Sequence, residues 1–439
     1  MTDSLLALED GARRWTCPFC LLLCDGLGVR ANAAGTALEL AAGACAGAQA
    51  ALAHFPPAPS AAQPQVGGQQ ASAADALDAA AAILAASRQP HFGGLGTDVA
   101  GARALYRLAQ ATGAICDPAQ GTALMHGVRA LQDRGGYSTT LAEVRTRADL
   151  IVCLDGLPGG EAAEFLPRCG IGEDDAPPRH LVLLGGPPQD QAALAAIAAR
   201  ASHDALTTEA VPLQGDLFDT VALLAALVAG RAVHPVAPQL AALADRLRAA
   251  RYAVLVGQSS RLPAQGALVI ETVQRIVGTL NARTRAAALW LGGGNGAGTV
   301  NQVFTWLSGL PLRSRAGPAG LEHEPLCFDS ARLLAEQAVD SLLWIASFDA
   351  TSTPPVTQVP KVVLAHPALA ASAAREGDVF IPVSTPGIGS PGHLFRADGG
   401  AVLPLLPVYR DDTLPVLADV LDGLAQRVRA LRAHSGVTA

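Results

Sequence analysis

Short apolar runs alternate with segments of helical period along most of the chain. The strand candidates are Ile151–Leu154, Leu181–Leu184, Tyr252–Val256, Ala287–Leu291, Ser341–Ala346, Lys361–Ala365 and Val379–Val383. Most are apolar at consecutive positions and end near Gly, Asp or Ser, which suits strands buried on both faces. Helical patterns lie between them: Asp190–Ala201, Leu217–Ala229, Pro238–Ala250, Gly266–Gly278, Val300–Leu310 and Asp329–Val339. This rhythm predicts an α/β protein with parallel sheets and helices on both faces. Ser72 followed by Asp75 resembles a capping box, so a helix is expected from there to Ser87. Thr413–His434 reads as one long helix. Residues 55–71, rich in Pro, Gln and Gly, read as a linker.

Composition narrows the class. At 439 residues the chain has room for two or three domains. Half its residues are hydrophobic and only 4% are aromatic, so the core must be built from Ala, Leu and Val. The net charge is −7 and no basic run occurs, which argues against nucleic acid as a partner. Residues 1–14 carry acids and lack the apolar core of a signal peptide. No uncharged apolar run reaches the roughly 18 residues of a membrane span. Eight cysteines are too few for a disulfide scaffold, and a cytoplasmic protein is expected. Cys116, Cys153, Cys169 and Cys327 are scattered and read as small buried hydrophobes.

The other four cysteines are not scattered. Cys17, Cys20 and Cys24 follow C-x2-C-x3-C spacing, and Cys45 comes later in the same segment. Thiolates are soft ligands suited to zinc and iron–sulfur clusters. Three close cysteines can hold three corners of a four-iron four-sulfur cluster and a distant fourth can close it. The apolar run Leu21–Leu23 between the ligands fits unligated thiols equally well.

Two glycine-rich turns precede helical patterns. One contains Gly94 and Gly96, the other Gly294 and Gly296. Such turns can present backbone N–H groups to a phosphate at a helix start. Neither pair completes G-x-G-x-x-G, and ordinary tight turns explain them too. The loop Thr385–Asp398, with Arg396 near its end, could line a pocket or a subunit interface. His126 and His393 sit beside glycines, where a ligand could reach them. His54, His203, His234 and His434 read as solvent-face residues. The motifs of zinc proteases, serine hydrolases and P-loop NTPases are missing.

Several segments carry a family resemblance. Cys17-Pro-Phe-Cys20-x3-Cys24-Asp25, followed by Ala44-Cys45-Ala-Gly47, resembles the start of the B subunit of formylmethanofuran dehydrogenase, a branch of the molybdopterin oxidoreductases. Met125–Gly135 and Leu141–Asp149 look like the family's metal-ligand segment and the stretch after it. Val303–Pro311 and Gly387–Asp398 are similar to later family segments, in the same order. The resemblance implies a molybdopterin-oxidoreductase-like α/β fold behind a small N-terminal cysteine domain, with cluster ligands Cys17, Cys20, Cys24 and Cys45.

The departures bear on function. In the family a Cys or selenocysteine immediately before His-Gly ligates molybdenum or tungsten, and here Met125 stands before His126. A thioether cannot supply an anionic ligand to a high-valent metal. The family's Gly-Ser-Asn-Pro reads Asp155-Gly-Leu-Pro158, its His-Pro-Arg reads Leu166-Pro167-Arg168, and its Thr-x-Tyr reads His393-x-Phe395. Around the cysteines a Gly has become Leu21 and an Asp has become Gly26.

This combination is similar to the B subunit of the formyltransferase/hydrolase complex of methylotrophic bacteria. That resemblance implies one-carbon metabolism linked to tetrahydromethanopterin. A formyltransferase passes the formyl group to a methanofuran-type carrier, and an amidohydrolase releases formate. No electrons move, so the expected role is a structural subunit with a degenerate active site. Its partners would be amidohydrolase, formyltransferase and scaffold subunits, and it would hold no molybdopterin or tungstopterin. The alternatives are a redox-active Mo/W-pterin dehydrogenase subunit, with Cys116 as a substitute ligand, and a stand-alone binding protein. The expected division is a cysteine domain at 1–55, a discontinuous α/β domain at 56–136 and 251–400, an inserted Rossmann-like domain at 137–250, and a helical tail at 401–439.

Overall fold

A computed structural model describes residues 13–57, 60, 62–173, 176–201, 205–409 and 411–434. His203 and positions 58, 59 and 61 of the expected linker lie outside the described residues. The chain divides into two compact units. One comprises 1–121, 293–396 and 401–439; the other, inserted, comprises 122–292 and 397–400.

The inserted unit is built on five parallel strands. Their order across the sheet is Leu206–Val211, Arg179–Leu184, Leu150–Leu154, Tyr252–Gln258 and Arg285–Leu291. The first strand in sequence is therefore central, and the order reverses beside it, between Leu150–Leu154 and Tyr252–Gln258. This is a Rossmann-type arrangement. Leu150, Val152 and Leu154 pack with Val221, Leu224, Leu243 and Val273 in one aliphatic core. The unit is larger than the expected 137–250. Strands Tyr252–Gln258 and Arg285–Leu291 pair with Leu150–Leu154 and with each other, so they belong here and not to the surrounding unit. Hydrophobic periodicity marks where strands lie but not which sheet they join.

The larger unit carries a nine-stranded sheet. Its parallel centre is Ile115–Cys116, Pro90–Gly96, Ser341–Ala346, Lys361–Ala365 and Val379–Pro382. The hairpin of Ser314–Gly317 and Gly320–His323 adds antiparallel at one edge. At the other edge sits a small hairpin, Gln65–Val66 and Gln69–Gln70, inside the segment expected to be linker. Gly67 and Gly68 turn it with φ of +59° and +77°, the two successive positive φ values that a tight hairpin requires.

Pro90–Gly96, which takes in the glycine-rich turn of Gly94 and Gly96, is a fully buried central strand. Glycine lowers strand propensity, but here it makes room: a Cβ on Gly93 would lie 3.1 Å from the Trp344 ring. Between the pairs Gly93–Trp344 and Gly96–Ala346 the register shifts, and Gly94 and Leu95 have φ of +74° and +58°. This bulge bends the strand's carboxyl end.

Ser72 caps Ala73–Ala86, its hydroxyl accepting from Asp75 N–H at 3.1 Å. The helix expected to reach Val339 stops at Ala335, and Gln337 turns the chain at φ +52°. The C-terminal helix Leu417–His434 is not a separate tail. Leu417, Leu421, Leu424 and Val428 are buried where it packs on helices Ala73–Ala86 and Val99–Thr112. Arg432 donates to Ser87 O at 3.1 Å and Ala111 O at 2.9 Å, satisfying orphan carbonyls at the ends of both helices. The cysteine segment folds as three antiparallel strands, Arg13–Trp15, Leu27–Ala31 and Leu38–Ala42, followed by helix Ala46–Leu52.

Candidate functional site

The cysteine turn is tight. Cys17 N–H donates to Cys24 O at 2.9 Å, and Leu23 takes φ +45° to complete the loop. Leu21, Leu22 and Leu23 are buried, and Leu23 joins Phe348, Leu394 and Leu405 in a small core. The apolar run therefore anchors the turn. Burial pushes the Cys17 thiol well above its ordinary range; the charges of Cys20, Cys24 and Cys45 raise it further, and a backbone N–H at Phe19 opposes them. Burial likewise lifts Cys20 to about 12, against backbone hydrogen bonds from Leu22 and Leu23. Cys45 caps its helix, its sulfur accepting from Ala48 N–H at 3.4 Å.

Among the described residues no three Cys, His, Asp or Glu side chains are placed around a single metal ion. Backbone N–H groups reach the sulfurs of Cys17, Cys20 and Cys45, as they would the thiolate ligands of a cluster. Cys17, Cys20, Cys24 and Cys45 are the residues that would hold it.

The structure brings the two glycine turns together, and each fills the other. A Cβ on Gly296 would lie 2.5 Å from Thr97 O, and one on Gly96 would lie 3.2 Å from Asn295 O. Gly94 meets Ile345 O and the Trp344 ring in the same way, at 2.6 and 2.9 Å. The carbonyl of Gly294 accepts from Ala297 N–H in the turn into the next helix. At the start of helix Val99–Thr112, Asp98 already supplies the anion, accepting from Gly101 N–H at 3.0 Å. Its second oxygen accepts from His393 N–H at 3.3 Å, and Thr299 accepts from Phe395 N–H at 2.9 Å. Arg396 continues this pinned strand, its N–H donating to Ala401 O. His393 is exposed.

In the inserted unit, Met125 and His126 lie on helix Gly121–Arg134 and are both buried, at 2% and 6% exposure. The His126 ring lies against Gly266, where a Cβ would come within 2.6 Å of it. Cys116 belongs to the other unit. Burial raises its thiol first and Asp117 adds to this, and the sulfur contacts Ala114 O at 3.8 Å inside the sheet. Cys153 and Cys169 are buried as expected; Cys327 is exposed instead.

Residues that the sequence did not single out close the carboxyl ends of the inserted sheet. Gln258, at the end of one strand beside the reversal, donates through Nε2 to Gly159 O at 2.9 Å. Its Oε1 accepts from Gly159 N–H at 3.2 Å, so one amide clasps the loop leaving the other strand. Arg261 reaches Leu157 O and Asp190, each at 3.2 Å, and Asp190 accepts from Leu157 N–H at 3.0 Å. A Cβ on Gly156 would collide with the Arg261 guanidinium. Asp155 holds a left-handed φ of +56°, and burial raises its carboxyl despite Arg261 beside it. In open α/β sheets this crevice receives ligands; here the N–H and carbonyl of both Leu157 and Gly159 are bonded to the chain's own side chains.

A cysteine-fronted unit on a parallel sheet, carrying an inserted Rossmann-type unit, defines a molybdopterin-oxidoreductase-like protein. The comparisons narrow the class. No family model matches the chain. It is 31% identical over 368 residues to the B subunit of the formyltransferase/hydrolase complex Fhc of Methylorubrum extorquens, covering 83% of this chain and 96% of that protein. It also matches a chain in the crystal structure of the M. extorquens formyltransferase/hydrolase complex with methylofuran. That match has a TM-score of 0.68 at 28% identity, over 85% of this chain and all of the other. The chain belongs to the family of Fhc B subunits. Among the described residues no helix is long and apolar enough to cross a membrane.

Proposed function

We propose that this chain is a non-redox structural subunit of a cytoplasmic formyltransferase/hydrolase complex. It would stand beside formyltransferase, amidohydrolase and scaffold subunits that move a formyl group from tetrahydromethanopterin to a methanofuran-type carrier and release formate. Hydrolysis breaks the formyl C–N bond, adds the water hydroxyl to carbon and returns a proton to nitrogen. Carbon keeps its oxidation state, so no electron carrier is needed.

The observation that carries this reading is Met125. The resemblance puts a metal-ligating thiolate at that position, and the chain has a buried thioether there. The clasp of Gln258 on Gly159 supports it, since backbone groups that could face a ligand are already paired. Bound at the quartet, a cluster would supply folding free energy, because metal binding and folding are coupled. Affinity purification of the chain from its own cell, followed by elemental analysis, tests the proposal. The expected result is co-purification with amidohydrolase and formyltransferase subunits without stoichiometric molybdenum or tungsten. Either metal at one equivalent would overturn it, as would a chain that purifies alone.

A further inference from the structure

The larger unit contains a cavity of about 200 Å³ that no part of the proposed function uses. It opens where the carboxyl ends of strands Lys361–Ala365 and Val379–Pro382 meet the end of the cysteine segment. Its walls are apolar, with Phe55 and Ile388 buried. Seven polar side chains are set among them, of which Ser60 and Thr385 already hold hydrogen bonds to the chain and His54 is exposed.

His366 has a defined tautomer. Ala368 N–H donates to its Nδ1 at 3.1 Å, so Nε2 carries the proton, and burial keeps the ring neutral at physiological pH. No described residue accepts from that Nε2–H. Ser384 is 1% exposed, and its hydroxyl finds no hydrogen-bond partner among the described residues. Buried hydroxyls are normally paired, so this one calls for an explanation. Asp411 spends Oδ1 on Thr413 and Leu414 and accepts nothing at Oδ2 from any described residue. The Tyr409 phenol stays protonated, raised to about 12 by burial and then by Asp411. Gly389 keeps the space between them open: a Cβ there would lie 2.8 Å from both Ser384 Oγ and Asp411 Cβ.

We propose that this cavity binds a planar, uncharged carboxamide or lactam. Its carbonyl accepts from Ser384 and His366, its N–H donates to Asp411, and its ring lies among Phe55, Tyr409 and Ile388. Two donors and one acceptor, unpaired among the described residues, are the complement of an amide edge. The Asp411 carboxylate beside a neutral His366 disfavours phosphates and carboxylates, the exposed imidazole of His54 being the other basic group in the lining. The inference is independent of membership in any complex.

Nicotinamide and nicotinate, matched in shape and differing in charge, are the probes. Saturation-transfer NMR on the full-length chain is expected to show nicotinamide bound and nicotinate not. Ser384→Ala is expected to weaken nicotinamide by about tenfold without lowering the melting temperature, since it removes a hydroxyl the fold leaves unpaired. Gly389→Ala, which fills the space and removes no polar group, is expected to abolish binding with the circular dichroism spectrum retained. Failure of both probes to bind, equal binding of the two, or nicotinamide binding that survives both substitutions would overturn the proposal. So would a fall in melting temperature for Ser384→Ala, because the hydroxyl would then be held by the fold.

Discussion

Asp117 and Arg313 form an ion pair whose side chains are only 2% and 3% exposed, with Nε to Oδ1 at 2.8 Å. The second Asp117 oxygen accepts from Ser330 N–H at 2.8 Å and Ser330 Oγ–H at 2.7 Å, and Ser330 in turn contacts His91 Nε2 at 3.0 Å. Asp117→Ala deletes all three bonds and leaves a buried guanidinium held by Asp329, whose side chain is 24% exposed. Breaking a buried pair from one side costs about 3–5 kcal/mol. The half-compensation by Asp329 puts the expected loss near the lower end, about 3 kcal/mol. Arg313→Met removes the stranded charge. The double variant is therefore expected to recover about 2 kcal/mol relative to the sum of the single losses. Urea unfolding followed by tryptophan fluorescence reads this, since Trp344 is buried in the same unit. A loss below about 1 kcal/mol for Asp117→Ala, or additivity within about 0.5 kcal/mol, would refute the reasoning.

Gly296→Ala should cost well over the roughly 1 kcal/mol of a simple positive-φ penalty, because Thr97 O blocks the Cβ. Gly309→Ala, at φ +79° in open space, should cost about that 1 kcal/mol alone; equal midpoint shifts would remove the steric argument. His366 is held near 4 by burial and then by His54, below the ordinary 6.5. The unfolded chain thus binds the extra proton first. The stability this neutral ring contributes is complete above pH 6.5 and lost as pH falls towards 4, by up to about 3 kcal/mol. A pH series on His366→Asn should flatten that slope, and an unchanged slope would reject the assignment. With its thiol raised to about 12, Cys20 should react with iodoacetamide at pH 8 far more slowly than exposed Cys327; mass mapping that finds Cys20 labelled first would contradict its buried environment. Met125→Cys should still recruit no molybdenum or tungsten and should cost about 1–2 kcal/mol for lost buried volume; stoichiometric metal would show a pocket needing only its ligand.

What the sequence could express was local. Ser341–Ala346 and Lys361–Ala365 are strands at the expected residues because apolar runs buried on both faces leave few alternatives. Pro90–Gly96 escaped because its glycines obey a distant tryptophan and not their own propensity. The unit boundary escaped because Tyr252–Gln258 chooses Leu150–Leu154, about a hundred positions away, as its neighbour. At the site, cysteine spacing and the thioether at Met125 were legible as chemistry. Gln258, Asp190 and Arg261 were not, because an amide or an ion pair at a strand end gains meaning only from the backbone it reaches. Ser384 shows the opposite limit: its interest lies in the partner it lacks among the described residues, which no single sequence can spell out.

The clasp of Gln258 on Gly159 has a consequence for the cell that makes this chain. Here one glutamine pairs both the N–H and the carbonyl of Gly159, tying two strand ends of the sheet together. Under the proposed non-redox role, folding of the inserted unit would not wait on pterin supply.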